Sequence, residues 1–231
     1  PEGRVRRLAV LAAAACAAGG VAAPAGATNE CRGFQVCVPV AGPWVLAGSG
    51  GEVQFQLACP KRFVVAGLDA ELSTRALEVG FRGALGTPVN PGITTSSSAV
   101  FLGRLVRGRD PAASFRPHIG CVPASGAGQR VPTAFHPYPP AKPTAPQMTQ
   151  IQVHVGASRY VERCPAGQQL ASATHAIAFY TATPPTKALA ASVHVTQAVQ
   201  GGLVHLAVRA GPAMLEVRAV VQVDLLCVRR A

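Results

Sequence analysis

The sequence predicts an all-β protein made of two related antiparallel β-sandwich modules, each stapled by a disulfide. Three observations carry this expectation. Short alternating or apolar runs are separated by Gly, Pro and Asn turns, with almost nothing of helical period between them. Six cysteines stand behind an export signal. A Cys-Pro sequence recurs with its flanks in the second half of the chain.

The first 27 residues read as a signal peptide. Arg4, Arg6 and Arg7 form a basic start, residues 8–15 (LAVLAAAA) an apolar stretch, and Ala25-Gly26-Ala27 an A-x-A cleavage site. The stretch is mostly Ala and Gly with Pro24 inside it, poorer in Leu, Ile, Val and Phe than a membrane span requires. Ala13-Ala14-Ala15-Cys16 resembles a lipoprotein processing box, with Ala13 where such boxes carry Leu, so a tether through Cys16 is the competing reading. No later segment is apolar for 18 residues, and no transmembrane segment is expected in the mature chain.

Cleavage leaves Cys31, Cys37, Cys59, Cys121, Cys164 and Cys227, an even set that reads as a disulfide framework in an exported chain. Cys59-Pro60 and Cys164-Pro165 open gapless matching segments, CPKRFVVAGLDAEL and CPAGQQLASATHAI. Cys121-Val122 and Cys227-Val228 follow them at nearly equal distance. The repeat predicts the pairs Cys59–Cys121 and Cys164–Cys227, and elimination leaves Cys31–Cys37. In the chain-entropy account each long bridge is worth roughly 4 kcal/mol and the short one about 2. No C-x-x-C occurs, which argues against zinc.

The opening Cys-Pro with its closing Cys resembles β-rich repeat modules of exported bacterial proteins that begin Cys-Pro-x-Gly, many of them without assigned activity. Cys164-Pro165-Ala166-Gly167 follows that pattern, whereas Arg62 stands in the Gly place of the first copy. The resemblance carries over no functional residue.

Expected strands in the first copy are residues 53–59, 63–72, 77–85, 99–107 and 114–122. In the second they are residues 151–155, 168–181, 188–200, 203–209 and 215–228, and each half opens with an alternating strand, GEVQFQL (51–57) and TQIQVHV (149–155). In the last run Leu215, Val217, Ala219, Val221 and Val223 alternate with Glu216, Arg218 and Gln222, the pattern of one buried and one wet face. The chain therefore divides into a signal peptide (1–27), an N-terminal disulfide segment (28–51), a first β module (52–122), a Pro-rich linker (123–149) and a second β module (150–231). Trp44 is expected to pack over the Cys31–Cys37 turn.

Charge says more about partners than about chemistry. The chain has 49% hydrophobic and 13% charged residues, which excludes a disordered polymer, and carries a net +11. Such a balance favours anionic partners, an envelope polymer or acidic polysaccharide. The basic residues are dispersed and lack interleaved aromatics, so no nucleic-acid partner is expected. Asp69 and Glu71 sit two apart on one strand, sharing a face, and with His175 they are the candidate residues for acid/base work. A solvent-facing strand is the ordinary use of such a pair. His154, His175, His194 and His205 have no metal-ligand spacing, the apolar runs around His194 and His205 suggest core or edge positions, and no cofactor motif occurs. The expectation is an exported, extracellular or envelope-associated bacterial protein that binds or builds rather than catalyses. A secreted hydrolase or carbohydrate-active enzyme with a site between the modules is the alternative.

Overall fold

In a computed structural model of the chain, residues 30–31, 36–48, 51–83, 97–124 and 144–229 are described. The signal peptide and Cys16 lie outside them. The strands are β1 (Val38–Ala41), β2 (Trp44–Leu46), β3 (Val53–Ala58), β4 (Phe63–Leu72), β5 (Leu77–Gly83), β6 (Ser98–Leu105) and β7 (Ser114–Pro123) in the first half. The second half has β8 (Thr144–Gln152), β9 (Gly156–Arg163), β10 (Gln168–Phe179), β11 (Val193–Gln200), β12 (Leu203–Ala210) and β13 (Ala219–Arg229). One turn of helix, α1 (Lys187–Ala190), is capped by the Thr186 hydroxyl, which accepts from the Leu189 N–H at 3.2 Å. The all-β, antiparallel character follows from the runs of Val, Ile, Leu and Phe between Gly and Pro turns.

Each half contributes strands to one shared sheet and keeps a three-stranded sheet of its own. Across the shared sheet the order is β4, β7, the broken line β1–β2, β10, β13 and β8, and every pairing is antiparallel. The small sheets are β3-β6-β5 and β9-β12-β11. The pairings of the first half recur in the second: β4 with β7 and β10 with β13, β3-β6-β5 and β9-β12-β11, β1–β2 on β7 and β8 on β13. Even the irregularity recurs. A bulge between Val65 and Gly67 in β4 matches one between Leu170 and Ser172 in β10.

This arrangement dictates where the two cores lie. With three strand positions per half in an all-antiparallel sheet, the second set must run opposite to the first. Strand order is kept, so the halves are related by a half-turn about an axis in the sheet plane, perpendicular to the strands. That half-turn exchanges the faces. Val65, Phe115 and Ile119 pack with Phe55 and Phe101 under β3-β6-β5, and Val45, Ala178 and Val220 extend that cluster. Phe179, Val221, Val223 and Leu225 point the other way and pack with Val204, Leu206 and Val208 of β12. Phe55, Phe101, Phe115 and Phe179, each fully buried, are worth roughly 1.5–3 kcal/mol of transfer free energy apiece.

The disulfides are Cys59–Cys121 and Cys164–Cys227, as the repeat predicts, and Cys31–Cys37, as elimination predicts. Several expectations need correction. The N-terminal segment is part of the sheet, because β1 and β2 pair with β7. β2 also pairs with β10, so one sheet runs through both halves. Trp44 is buried at that seam opposite Phe179. The linker boundary moves as well: β8 begins at Thr144, inside the stretch read as linker, and residues 125–143 lie outside the described ones. β9 is a strand without an apolar sequence pattern, because its two faces carry Arg159, Arg163 and Glu162 among few apolar residues. The strand in the place of β3 is β9, not residues 149–155, most of whose pairing is with β13. Finally, the last strand starts at Ala219 behind a 3-10 turn (Pro212–Leu215), and Gln222 is buried, because β3 covers its face.

Candidate functional site

Asp69 and Glu71 do share a face, and β7 completes a cluster with them. His118 lies across from Asp69, and Arg116 from Glu71. The His118 Nε2 is 3.2 Å from Glu71 Oε1, its Nδ1 is 3.7 Å from Glu30 Oε1, and Arg116 reaches Glu71 at 3.9 Å. Both members of the pair are thus half-buried rather than on an open strand face: Glu71 faces His118 and Arg116, and Asp69 Oδ1 accepts from the Ala70 N–H at 2.8 Å. Sequence reasoning passed over Glu30 and His118, since only strand register and the return of the N-terminal segment bring them together.

What covers the cluster is the backbone of Glu30. A Cβ on Gly67 or Gly120 would fall on the Glu30 carbonyl, so both strands are glycine where that segment lies against them. The His118 side chain is only 6% exposed beneath it. The Glu30 side chain is buried as well, with its Oε1 3.7 Å from the His118 Nδ1.

His175 is not part of this cluster. It sits on β10, separated from β4 by β7 and the β1–β2 line. Gln197 of β11 donates through Nε2 to the Ala173 carbonyl at 2.9 Å, so its Oε1 accepts from the His175 Nδ1–H at 2.9 Å. His175 therefore ties the shared sheet to a small one. Among the described residues no group of three or more His, Cys, Asp and Glu is placed to hold a metal ion.

A second constellation is visible only in the register of β9-β12-β11. Its inward positions, among them Tyr160, Val193, Val204, Leu206 and Val208, enter the core. The alternate positions form an outer face of four rows. These are Ala157, Arg209 and His194; Arg159, Ala207 and Thr196; Val161, His205 and Ala198; Arg163, Leu203 and Gln200. Arg159, Arg163, Arg209, His194 and His205 are all exposed there, and no carboxylate occupies any of the twelve positions. His194 is thus an exposed residue of the edge strand β11, and His205 is exposed on the middle strand β12 rather than buried in the core. Glu162, the acidic residue of β9, faces inward and accepts from the Thr149 hydroxyl at 3.3 Å. Small Ala and Thr side chains between the cations leave a shallow depression of about 380 Å³ lined by Arg159, Val161, Ala198 and His205 among others.

The corresponding face of the first half differs in one telling pair. Arg104 and Arg209 are both the penultimate residue of an eight-residue strand, β6 and β12. Across from Arg104 stands Glu78, which it binds through Nε at 3.0 Å and Nη2 at 2.6 Å. Across from Arg209 stands His194. One face neutralises its arginine and the other leaves it available. No protein-family model, curated protein or solved structure matches the chain.

Proposed function

We propose that the chain is an exported, non-enzymatic binding protein whose β9-β12-β11 outer face holds a linear anionic polymer of the cell envelope, a phosphate- or carboxylate-bearing polysaccharide. The observation that carries this reading is the convergence of Arg159, Arg163 and Arg209 on one flat face without a carboxylate. Guanidinium groups bind phosphate and carboxylate in bidentate fashion, and a flat sheet suits an extended chain. The three disulfides support an oxidising, extracellular setting. Recurrence of the strand pairing supports an origin by internal duplication, with the second copy specialised for binding. Burial of His118 beneath Glu30 favours a structural role for the Asp69–Glu71 cluster over hydrolysis.

Co-sedimentation of the oxidised chain with isolated envelope polymer tests this reading, at low and at high salt. The wild type should bind at low salt and lose about ten-fold or more in affinity between 50 and 200 mM. The triple variant R159A/R163A/R209A should not bind, while keeping its thermal midpoint. Binding unaffected by both salt and the triple variant would reject this face as the site.

A further inference from the structure

We infer that the β9-β12-β11 outer face is a pH-gated anion-binding surface, on which His194 and His205 join the three arginines as cations when the medium turns mildly acidic. The inference rests on the binding role proposed above and adds its regulation.

The comparison of the two halves is the starting point. At the position where β5 supplies Glu78 to neutralise Arg104, β11 supplies His194 to Arg209. A carboxylate at that place fixes an ion pair at every pH above its own titration. An imidazole brings no negative charge to Arg209 in its neutral form and a second cation beside it when protonated. His205 stands in the middle strand. Its direct cross-strand neighbours on this face are Val161 and Ala198, and the charged groups diagonal to it are Arg159 and Arg163. Among the described residues of β9, β11 and β12, the charged neighbour of His194 on the same face is Arg209. No carboxylate on β9, β11 or β12 faces either ring, so the negative partner of each imidazolium is the bound polymer.

Linkage then sets the sign. A polyanion that binds the protonated face better than the neutral one takes up protons as it binds, and acidification strengthens binding to the same extent. Protonation of both rings takes the face from three cations to five. With exposed contacts this amounts to roughly ten-fold in affinity, and the salt dependence steepens in parallel.

Long-chain inorganic polyphosphate is a suitable probe, because its internal phosphates keep their charge across this range. Titration calorimetry at constant ionic strength, in two buffers of different ionisation enthalpy, reads affinity and proton uptake together. The wild-type chain is expected to bind about ten-fold tighter at pH 5.5 than at pH 8 and to take up protons between them. H194Q/H205Q, measured against its own affinity at pH 8, should lose most of the gain at pH 5.5. Wild-type binding that is flat with pH, or a pH response that survives in H194Q/H205Q, overturns the gate and leaves the binding role standing. Absence of binding at every pH overturns both.

Discussion

The side chain of Gln222, in the last strand, pairs with both backbone groups of Gln56 in β3: its Oε1 accepts from the Gln56 N–H, and its Nε2 donates to the Gln56 carbonyl at 3.0 Å. β6 occupies one edge of β3, and Gln222 serves the other as a one-residue strand. The amide is fully buried, and 166 residues separate the partners. Gln56 in turn donates through its own side chain to the Ser98 hydroxyl at 2.9 Å. This contact, with the β2–β10 pairing, joins the first half to the second.

Replacing Gln222 by Met keeps the volume but strands a buried N–H and C=O, so a loss of about 2–4 kcal/mol is expected. Gln222→Glu retains the acceptor, loses the donor and buries a charge, and should cost at least as much. Urea unfolding followed by Trp44 fluorescence, which reports on the seam, measures both. A cost below about 0.5 kcal/mol for Gln222→Met would show that water or backbone adjustment replaces the pairing.

Arg62 and Gly167 make the next comparison. Each lies in the turn after its Cys-Pro, and both are left-handed, with φ of 68° and 79°. That conformation is free for Gly and costs a residue with a Cβ roughly 1–2 kcal/mol. Nothing lies within 4 Å of a Cβ built on Gly167, so backbone strain dominates there. Arg62→Gly is therefore expected to stabilise the chain by about 0.5–1 kcal/mol after the entropy of the unfolded chain is counted, and Gly167→Ala to destabilise it by a similar amount. Thermal midpoints moving in opposite directions are the signature, and a shared direction would remove strain as the cause.

These comparisons also show how much of the molecule was legible beforehand. Cysteine pairing could be read because the spacing is covalent and linear: the Cys59–Cys121 and Cys164–Cys227 separations, 62 and 63, are nearly equal. Strands such as β12 were legible because one face is apolar, whereas β9 is polar on both faces and β8 begins at a threonine directly behind Pro143. The basic face could not be read at all. Arg159 and Arg209 lie 50 positions apart, and only the pairing of β9 with β12 sets them on one surface. Likewise His118 and Asp69 meet through register, and Glu30 reaches them through the return of the N-terminal segment.

The seat of Glu30 yields a steric prediction. Gly67→Ala or Gly120→Ala would drive a Cβ into the Glu30 carbonyl, and the segment must then move away from His118. A loss of about 2 kcal/mol or more is expected for either. Gly80→Ala is the control, since its Cβ meets only the Leu102 Cβ at 4.0 Å. Limited proteolysis with mass analysis should find cleavage near Glu30 accelerated in the first two variants and unchanged in the third. Equal cleavage in all three would mean that the segment is held by its disulfide alone.

The second half places Asp224 where the first has His118, each three residues before the closing cysteine, but without the compensation. Among the described residues its Oδ2 has no hydrogen-bond partner, and burial pushes the carboxyl up to about 7. The folded chain therefore holds this proton more tightly than the unfolded chain, whose carboxylates titrate near 4. Between about pH 4 and pH 7 the unfolded state binds fewer protons, so stability falls as pH rises, and the loss is complete once the folded carboxyl is ionised. At most this amounts to about 4 kcal/mol. Asp224→Asn removes the titration: relative to wild type it should gain stability steadily from pH 4.5 to pH 7.5 and hold that gain at higher pH. Urea midpoints of the two proteins across that range give the difference directly. Parallel curves would mean that the carboxyl ionises alike in both states and that the orphaned oxygen is solvated.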